Sequence, residues 1–278
     1  MHRLTSRFYP ITGTPFQADE TYREYAPCDA LKPYIRCFWG TERPVLPTKT
    51  VPETGIVIPD TCMDVIFDMN YTQNAFTGVF CGMDDTSLIT YGQKEKEKTA
   101  TFGIRFYGWT AVLFSDGDMK DAGNARMACA AFSAAIEREM KPLLYDFKTI
   151  REAILTAEKL LIRRLNKEKI DFNVLNAIDQ MLFTHGRAKM REISSYTGVT
   201  QRTLERGFVR MMGISPKQFS SLLRYQLLWQ EMILKGGFHV LDAVEKYGYT
   251  DQAHLLHDFK KRHLMTPAEA VRFAREHG

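Results

Sequence analysis

The sequence predicts an α+β chain: an N-terminal β-rich sandwich or barrel-like domain followed by an all-α double helix-turn-helix domain. Three observations predict it. Short segments rich in β-branched and aromatic residues fill residues 1 to about 115, the hydrophobic period becomes helical near Met127, and the last hundred residues repeat themselves at an offset of 51 residues.

The chain has 278 residues, of which 45% are hydrophobic, enough for two domains of ordinary size. The net charge of +4 is modest, but its distribution is uneven. Residues 171–278 hold 15 Lys+Arg against 11 Asp+Glu, leaving 22 against 22 in residues 1–170, and six of the seven histidines lie in the later part. The whole excess of positive charge is C-terminal. Five widely spaced cysteines (Cys28, Cys37, Cys62, Cys81 and Cys129) form no Cys-x-x-Cys pair, so neither structural zinc nor a disulfide framework is expected, and no cofactor is implied. The opening "MHRLTSRFYP" lacks the apolar core of a signal peptide, and no apolar run is long enough to span a bilayer. These features place the protein in the cytoplasm with reduced thiols.

"YIRCFWG", "TGIVIP", "MDVIFDM", "AFTGVF", "SLITYG" and "ATFGIRFYGWTAVLF" read as strands separated by Gly, Pro, Asn or Asp, giving a β-rich domain over 1–126. The charged stretch Gly92 to Lys98 reads as an exposed hairpin tip. From Met127 the Ala/Leu/Glu/Lys-rich sequence leaves an apolar stripe of Ile150, Ile154, Leu155, Leu161, Ile162 and Leu165. Residues 127–170 thus form a helical linker or dimerisation region, and the polar "NKEKID" (Asn166 to Asp171) marks the boundary with a third segment, 171–278.

In that segment "GVTQRTLERGFVRMMGISP" (from Gly198) lies over "YTDQAHLLHDFKKRHLMTP" (from Tyr249), matching Gln201 with Gln252, Leu204 with Leu255, Phe208 with Phe259 and Pro216 with Pro267. Each copy follows a short helix and a glycine turn, which describes two helix-turn-helix motifs, at about 190–213 and 239–264. At 100° per residue, Leu204, Phe208, Leu255 and Phe259 point inward. Arg202, Arg206 and Arg210 then project outward from the first copy, and Ala253, His257, Lys260 and Lys261 from the second. Arginine forks suit guanine edges and phosphates of duplex DNA, and the His imidazole and Gln amide suit base edges. The helix between the copies, 215–235, opens with a Ser cap and a first-turn Pro. About 20 residues span roughly 30 Å, close to one turn of B-DNA. Gly207, inside the first outward-facing helix, costs about 1 kcal/mol relative to alanine.

These residues resemble the AraC/XylS transcription regulators over about Val174 to Arg272, most specifically in Gly248-Tyr249-x-Asp251-x-x-His254 followed by Phe259 and Thr266-Pro267. The resemblance implies base contacts from Gln201, Arg202, Glu205 and Arg206 in the first copy and Gln252, Ala253, His254 and His257 in the second. Leu264 departs from the glycine the family usually has there, which puts the turn after the second recognition helix in doubt. His254 lies at the edge of the inward sector, where it either caps locally or touches a base.

The N-terminal segments are similar to a poorly characterised β-rich domain found ahead of AraC-type units. By that resemblance this half binds a small effector, pairs subunits, or both, and an activator would contact RNA polymerase. Asp60, Cys62, Asp64 and Arg105 form a polar set among Trp39, Phe67 and Trp109, with Phe38 and Phe106 nearby, and this set is the candidate effector site. The competing reading makes the aromatics core and Asp64–Arg105 a structural ion pair. An enzyme or sensor using Cys62 as alkyl acceptor or redox nucleophile is the alternative. No histidine lies in residues 3–170 to serve as its base, so an enzyme is not expected.

Overall fold

The computed structural model describes residues 1–11, 22–46, 54–91, 97–146, 148–234 and 239–277. The expected hairpin tip at Gly92–Lys98 lies largely outside the described residues. The chain opens with helix α1 (His2–Arg7) and strands β1 (Arg23–Tyr25), β2 (Ile35–Gly40), β3 (Thr54–Val57), β4 (Cys62–Asn70), β5 (Ala75–Cys81), β6 (Leu88–Tyr91), β7 (Thr99–Tyr107) and β8 (Arg126–Ala128). Six of them form an antiparallel sheet in the order β1-β2-β7-β4-β5-β8, and β3 pairs with β6 in a separate two-stranded ribbon.

Alternation along β4 and β7 divides the sheet into two unlike faces. Met63, Val65, Phe67 and Met69 of β4 and Phe102, Ile104 and Phe106 of β7 are all buried on one face. There Phe80 and Phe106 meet Phe132 of helix α2 (Cys129–Tyr145), the Phe80 and Phe132 rings stacking at 4.3 Å between centroids. Cys62, Asp64 and Arg105 occupy the other face. The strand expected over 100–114 stops at Tyr107. Gly108 N–H donates to the Thr61 carbonyl and the Thr110 hydroxyl to that of Tyr34, which ends the ladder and turns Ala111–Leu113 into a buried 3-10 turn. The sheet also outlasts the expected switch to helix near Met127, because Met127 and Ala128 pair with β5.

Helix α3 (Ile150–Arg164) packs beside α2. Ile150, Ile154 and Leu161 of the expected stripe are buried, whereas Leu155 and Ile162 are exposed. After a 3-10 turn at Lys167–Lys169, Asp171 caps α4 (Phe172–Phe183) by accepting from Asn173 and Val174 N–H groups. Then come α5 (Met190–Thr197), α6 (Gln201–Met212), α7 (Pro216–Leu234), α8 (Val240–Tyr247), α9 (Gln252–His263) and α10 (Pro267–His277).

The duplication extends to the caps. Thr200 and Asp251 cap α6 and α9. Ser215 with Gln218 and Thr266 with Glu269 make reciprocal capping boxes at the starts of α7 and α10. Gly213 and Leu264 end α6 and α9 in the same left-handed conformation, with φ of 71° and 64°. The turn after the second copy therefore does not differ from the first; the leucine adopts glycine's backbone at a steric cost. Gly207 also has a reason to be glycine. A Cβ there would lie 2.6 Å from Val174 Cγ2, so its absence lets α4 close onto α6.

Leu264→Gly should accordingly raise stability by about 1 kcal/mol, since the strained side chain is half exposed. Gly207→Ala should lower it by about 1–3 kcal/mol despite the better helix propensity of alanine. Urea unfolding midpoints check both; a stabilised Gly207→Ala protein would show that α4 gives way.

Candidate nucleic-acid interface

Helix α6 buries Leu204, Phe208, Met211 and Met212, which fixes its rotation and leaves Gln201, Arg202, Glu205 and Arg206 exposed on the opposite side. Arg210 is exposed too, but its guanidinium bonds Asp171 at 2.6 Å. Asp171 at once caps α4 and accepts Arg210, so Arg210 ties the recognition helix to its neighbour. One groove is lined by Asp118, Lys120, Glu205, Arg206, Val209 and Arg210, which brings a loop of the β-rich half alongside α6.

Helix α9 repeats the arrangement. Leu255 and Phe259 are fully buried, and Gln252, Ala253, His257, Lys260 and Lys261 are exposed. His254 is exposed but locally engaged. Its ring Nδ1 accepts from Thr250 N–H at 3.3 Å, and the ring meets that of Tyr249 edge-on at 5.3 Å. The local-cap reading of His254 is thus the one with contacts behind it.

The cationic run "KKRH" divides at its middle. Lys260 and Lys261 face solvent, whereas Arg262 and His263 are buried. Arg262 donates to the Asp85 carbonyl at 3.1 Å and to Ser221 Oγ at 2.8 Å, and pairs with Asp258 at 3.4 Å. His263 is packed against Trp229 and Phe259, with Nδ1 2.7 Å from the Tyr225 hydroxyl and no partner for Nε2. Burial pushes its pKa down to about 4.

In the β-rich half the structure brings together only part of the expected polar set. Arg105 Nε donates to Asp64 Oδ1 at 2.9 Å, and Trp39 Nε1 donates to the same oxygen at 2.7 Å. Glu24 stands 3.7 Å from Arg105 and 3.2 Å from Arg36. The Trp39 indole lies flat over Gly103, where a Cβ would be 2.1 Å from the ring. Asp60 Oδ1 accepts from Cys62 N–H, and burial pushes the Asp60 carboxyl up to about 7, against the pull of Arg105 and with the help of Asp64.

Two members fall elsewhere. Phe67 is on the helix-covered face, a strand's thickness away, because it is an odd number of residues from Asp64. Trp109 follows the end of β7 and packs edge-on against Phe219 of α7, joining the two halves. Cys62 is buried, and burial followed by the Asp60 charge raises its thiol well above the usual range, which disfavours nucleophilic or redox chemistry there. Among the described residues no group of His, Cys, Asp and Glu could hold a metal, and no helix is long and apolar enough to cross a membrane.

Several residues that link the halves, namely Ser87, Met119, Gly123 and Gln226, carry no local sequence signal. Ser87 and Met119 act mainly through backbone groups, Gly123 through a missing side chain, and Gln226 sits in an otherwise ordinary helix.

Two short helices, each joined through a left-handed glycine to a longer helix with an exposed polar ridge, are the geometry of a duplicated DNA-reading unit. A helix-turn-helix domain model matches residues 193–272. The C-terminal region is an AraC-type helix-turn-helix domain.

A domain of unknown function (DUF6597) matches residues 23–128, the β-rich half up to the end of β8. Among solved structures, an AraC-type transcriptional regulator from Chromobacterium violaceum is 20% identical, with a TM-score of 0.35 over 38% of this chain and 95% of that one. ToxT from Vibrio cholerae is 9% identical, with a TM-score of 0.42 over 91% of this chain and 98% of that one. ToxT bound to (E)-4-(8-methylnaphthalen-1-yl)but-3-enoic acid is 8% identical, with a TM-score of 0.44 over 91% and 99%. No curated protein matches the sequence.

The buried imidazole of the AraC-type unit sets a pH dependence. His263 binds its proton near pH 4 when folded and near 6.5 when unfolded, so between these values the unfolded chain binds more protons. Its contribution is complete above pH 6.5 and is lost as pH falls toward 4, by up to about 3 kcal/mol. Unfolding midpoints measured across this window should fall with pH in the native sequence, and His263→Gln should flatten the slope.

Proposed function

We propose that this chain is a sequence-specific transcription regulator that reads two adjacent major grooves with α6 and α9. The observation that carries the proposal is the pair of exposed ridges, Gln201, Arg202, Glu205 and Arg206 on α6 and Gln252, Ala253, His257, Lys260 and Lys261 on α9. Both are held by buried aromatic cores on one connecting helix of 19 residues, about 28 Å at 1.5 Å per residue. That length suits helices entering successive grooves on one side of a duplex. Arg202 and Arg206 are the base readers of the first copy. Lys260 and Lys261, in the last turn of α9, meet phosphates. His254 and Arg210 contribute less to readout, because each already has a protein partner.

The β-rich half, in this proposal, controls the DNA-binding half through a small effector. The supporting feature is the polar group of half-buried Trp39, Asp60 and Asp64 around the buried Arg105, which mixes charges of both signs with an aromatic plate. A ligand seated there biases the population of arrangements competent for DNA. The exposed Leu155 and Ile162, two turns apart on α3, support the reading of residues 127–170 as a surface that pairs two subunits.

Binding should weaken steeply with added salt, because phosphate neutralisation releases counterions. Arg206→Ala should cost about 1–3 kcal/mol on the preferred site and little on random DNA. Lys260→Ala should weaken all sequences alike. Fluorescence anisotropy titrations on a selected site and on random duplex separate the two patterns, and equal losses on both for Arg206→Ala sink the readout assignment. For the effector, a compound that binds the folded β-rich half raises the thermal midpoint in proportion to ln(1 + [L]/Kd). The effector reading fails if every compound that does so leaves DNA affinity unchanged.

A further inference from the structure

We infer that two linked loops of the β-rich half clamp the C-terminal ends of both recognition helices and so fix the operator spacing the protein accepts. The inference rests on the DNA-reading assignment above.

The free carbonyls at the end of a helix need partners from outside it. In α6 the Arg210 carbonyl accepts Met119 N–H at 2.8 Å, from the loop between Ser115 and Ala125. In α9 the Arg262 carbonyl accepts both Ser87 N–H at 2.8 Å and Ser87 Oγ–H at 2.7 Å, from the loop after β5. The second loop also holds the Arg262 guanidinium through the Asp85 carbonyl. Corresponding ends of the duplicated helices are thus held by two separate loops of the same half.

The two loops form one body. Gly82 N–H donates to the Ala125 carbonyl at 2.9 Å, Asn124 N–H to that of Met83 at 3.0 Å, and Asp85 N–H to Asn124 Oδ1 at 2.9 Å. At the first helix the joint is a contact between glycines. A Cβ on Gly123 would lie 2.6 Å from the Gly213 carbonyl oxygen, and one on Gly213 would lie 2.5 Å from that of Met119. Backbones this close hold the helix end to a fixed position, since any side chain at Gly123 must push it away.

Connector α7 holds each recognition helix through apolar contacts, which resist rotation less than directional bonds do. The loop bonds add a second, directional tie at the C-terminal end of each recognition helix. Ser87, Met119, Gly123 and Asn124 are therefore positioning residues: they touch no DNA and set where α6 stands relative to α9.

The test uses the full chain and a DNA site selected with the native protein, then lengthened or shortened by one or two base pairs between its half-sites. Two variants loosen the clamp without altering either exposed ridge: Gly123→Ala pries α6 from its loop, and Asn124→Gly removes the one side-chain bond of the three that join the loops. The native protein should lose about tenfold in affinity for each base pair of change, while each variant should lose less than about threefold at equal salt and with an unchanged base preference. Variants that keep the native spacing profile overturn the clamp. A native protein that selects no sequence overturns the clamp together with the DNA-reading assignment, which distinguishes the two failures.

Discussion

One buried amide holds the architecture together. Gln226, in the middle of α7, has no exposed surface, yet all its strong hydrogen-bonding directions toward the β-rich half are used. Its side-chain N–H groups donate to the carbonyls of Ile11 and Pro59 at 3.0 and 2.8 Å, and its oxygen accepts Ile11 N–H at 3.0 Å. One side chain thereby binds the connecting helix to the N-terminal segment and to the turn entering β4. Without it, the buried Pro59 carbonyl would lose its partner, at about 1–3 kcal/mol, and both backbone groups of the half-buried Ile11 would lose theirs. Polar contacts of this kind demand an orientation that apolar packing does not, so the helix that spaces the two DNA-reading units is fixed in rotation as well as in place.

The helical half was legible because its physics is local. Leu204, Phe208, Leu255 and Phe259 repeat at helical spacing, Gly198 and Gly248 mark positive φ, and Ser215 and Thr266 announce caps, so the fold and the outward ridges follow from the sequence alone. What the pattern could not show was the tertiary use of residues that look like surface. Arg262 and His263 sit in a run of four basic residues, and only their burial against α7 and the loop at Asp85 separates them from Lys260 and Lys261. Leu264 likewise looked like a departure from the expected turn. Its backbone nevertheless follows Gly213, because the capping bond to the Lys260 carbonyl outweighs the steric cost of a leucine at φ 64°.

In the β-rich half the six longer strands were legible, the three-residue edge strands β1 and β8 were not, and neither was the assignment of faces. Periodicity locates β4 and β7, whereas the register between them decides that Asp64 meets Arg105 and that Phe67 turns the other way. The aromatic-rich run after Phe106 looked like more strand; it instead carries Trp109 across to Phe219, and no local rule distinguishes those uses. The Asp64–Arg105 pair has the partners a structural ion pair needs, and Trp39 adds a third bond to it. Asp60, beside them, is the member whose charge is least well stabilised, because burial outweighs the pull of Arg105.

The strength of the joint between the halves bears on whether it can be switched. Among the described residues nine hydrogen bonds cross it: three from Gln226, one each from Gln230 to Tyr9, from Met119 to Arg210 and from Arg7 to Asp179, and three between Arg262 and the loop at Asp85–Ser87. At about 0.5–1.5 kcal/mol net each, they amount to roughly 5–13 kcal/mol, with the Trp109–Phe219 contact added. Moving a two-state equilibrium from 1:99 to 99:1 requires about 5.5 kcal/mol of differential affinity, within the range of a single well-bound small molecule. Directional bonds set beside an apolar core that runs through both halves therefore fix the orientation of the joint as well as its contact.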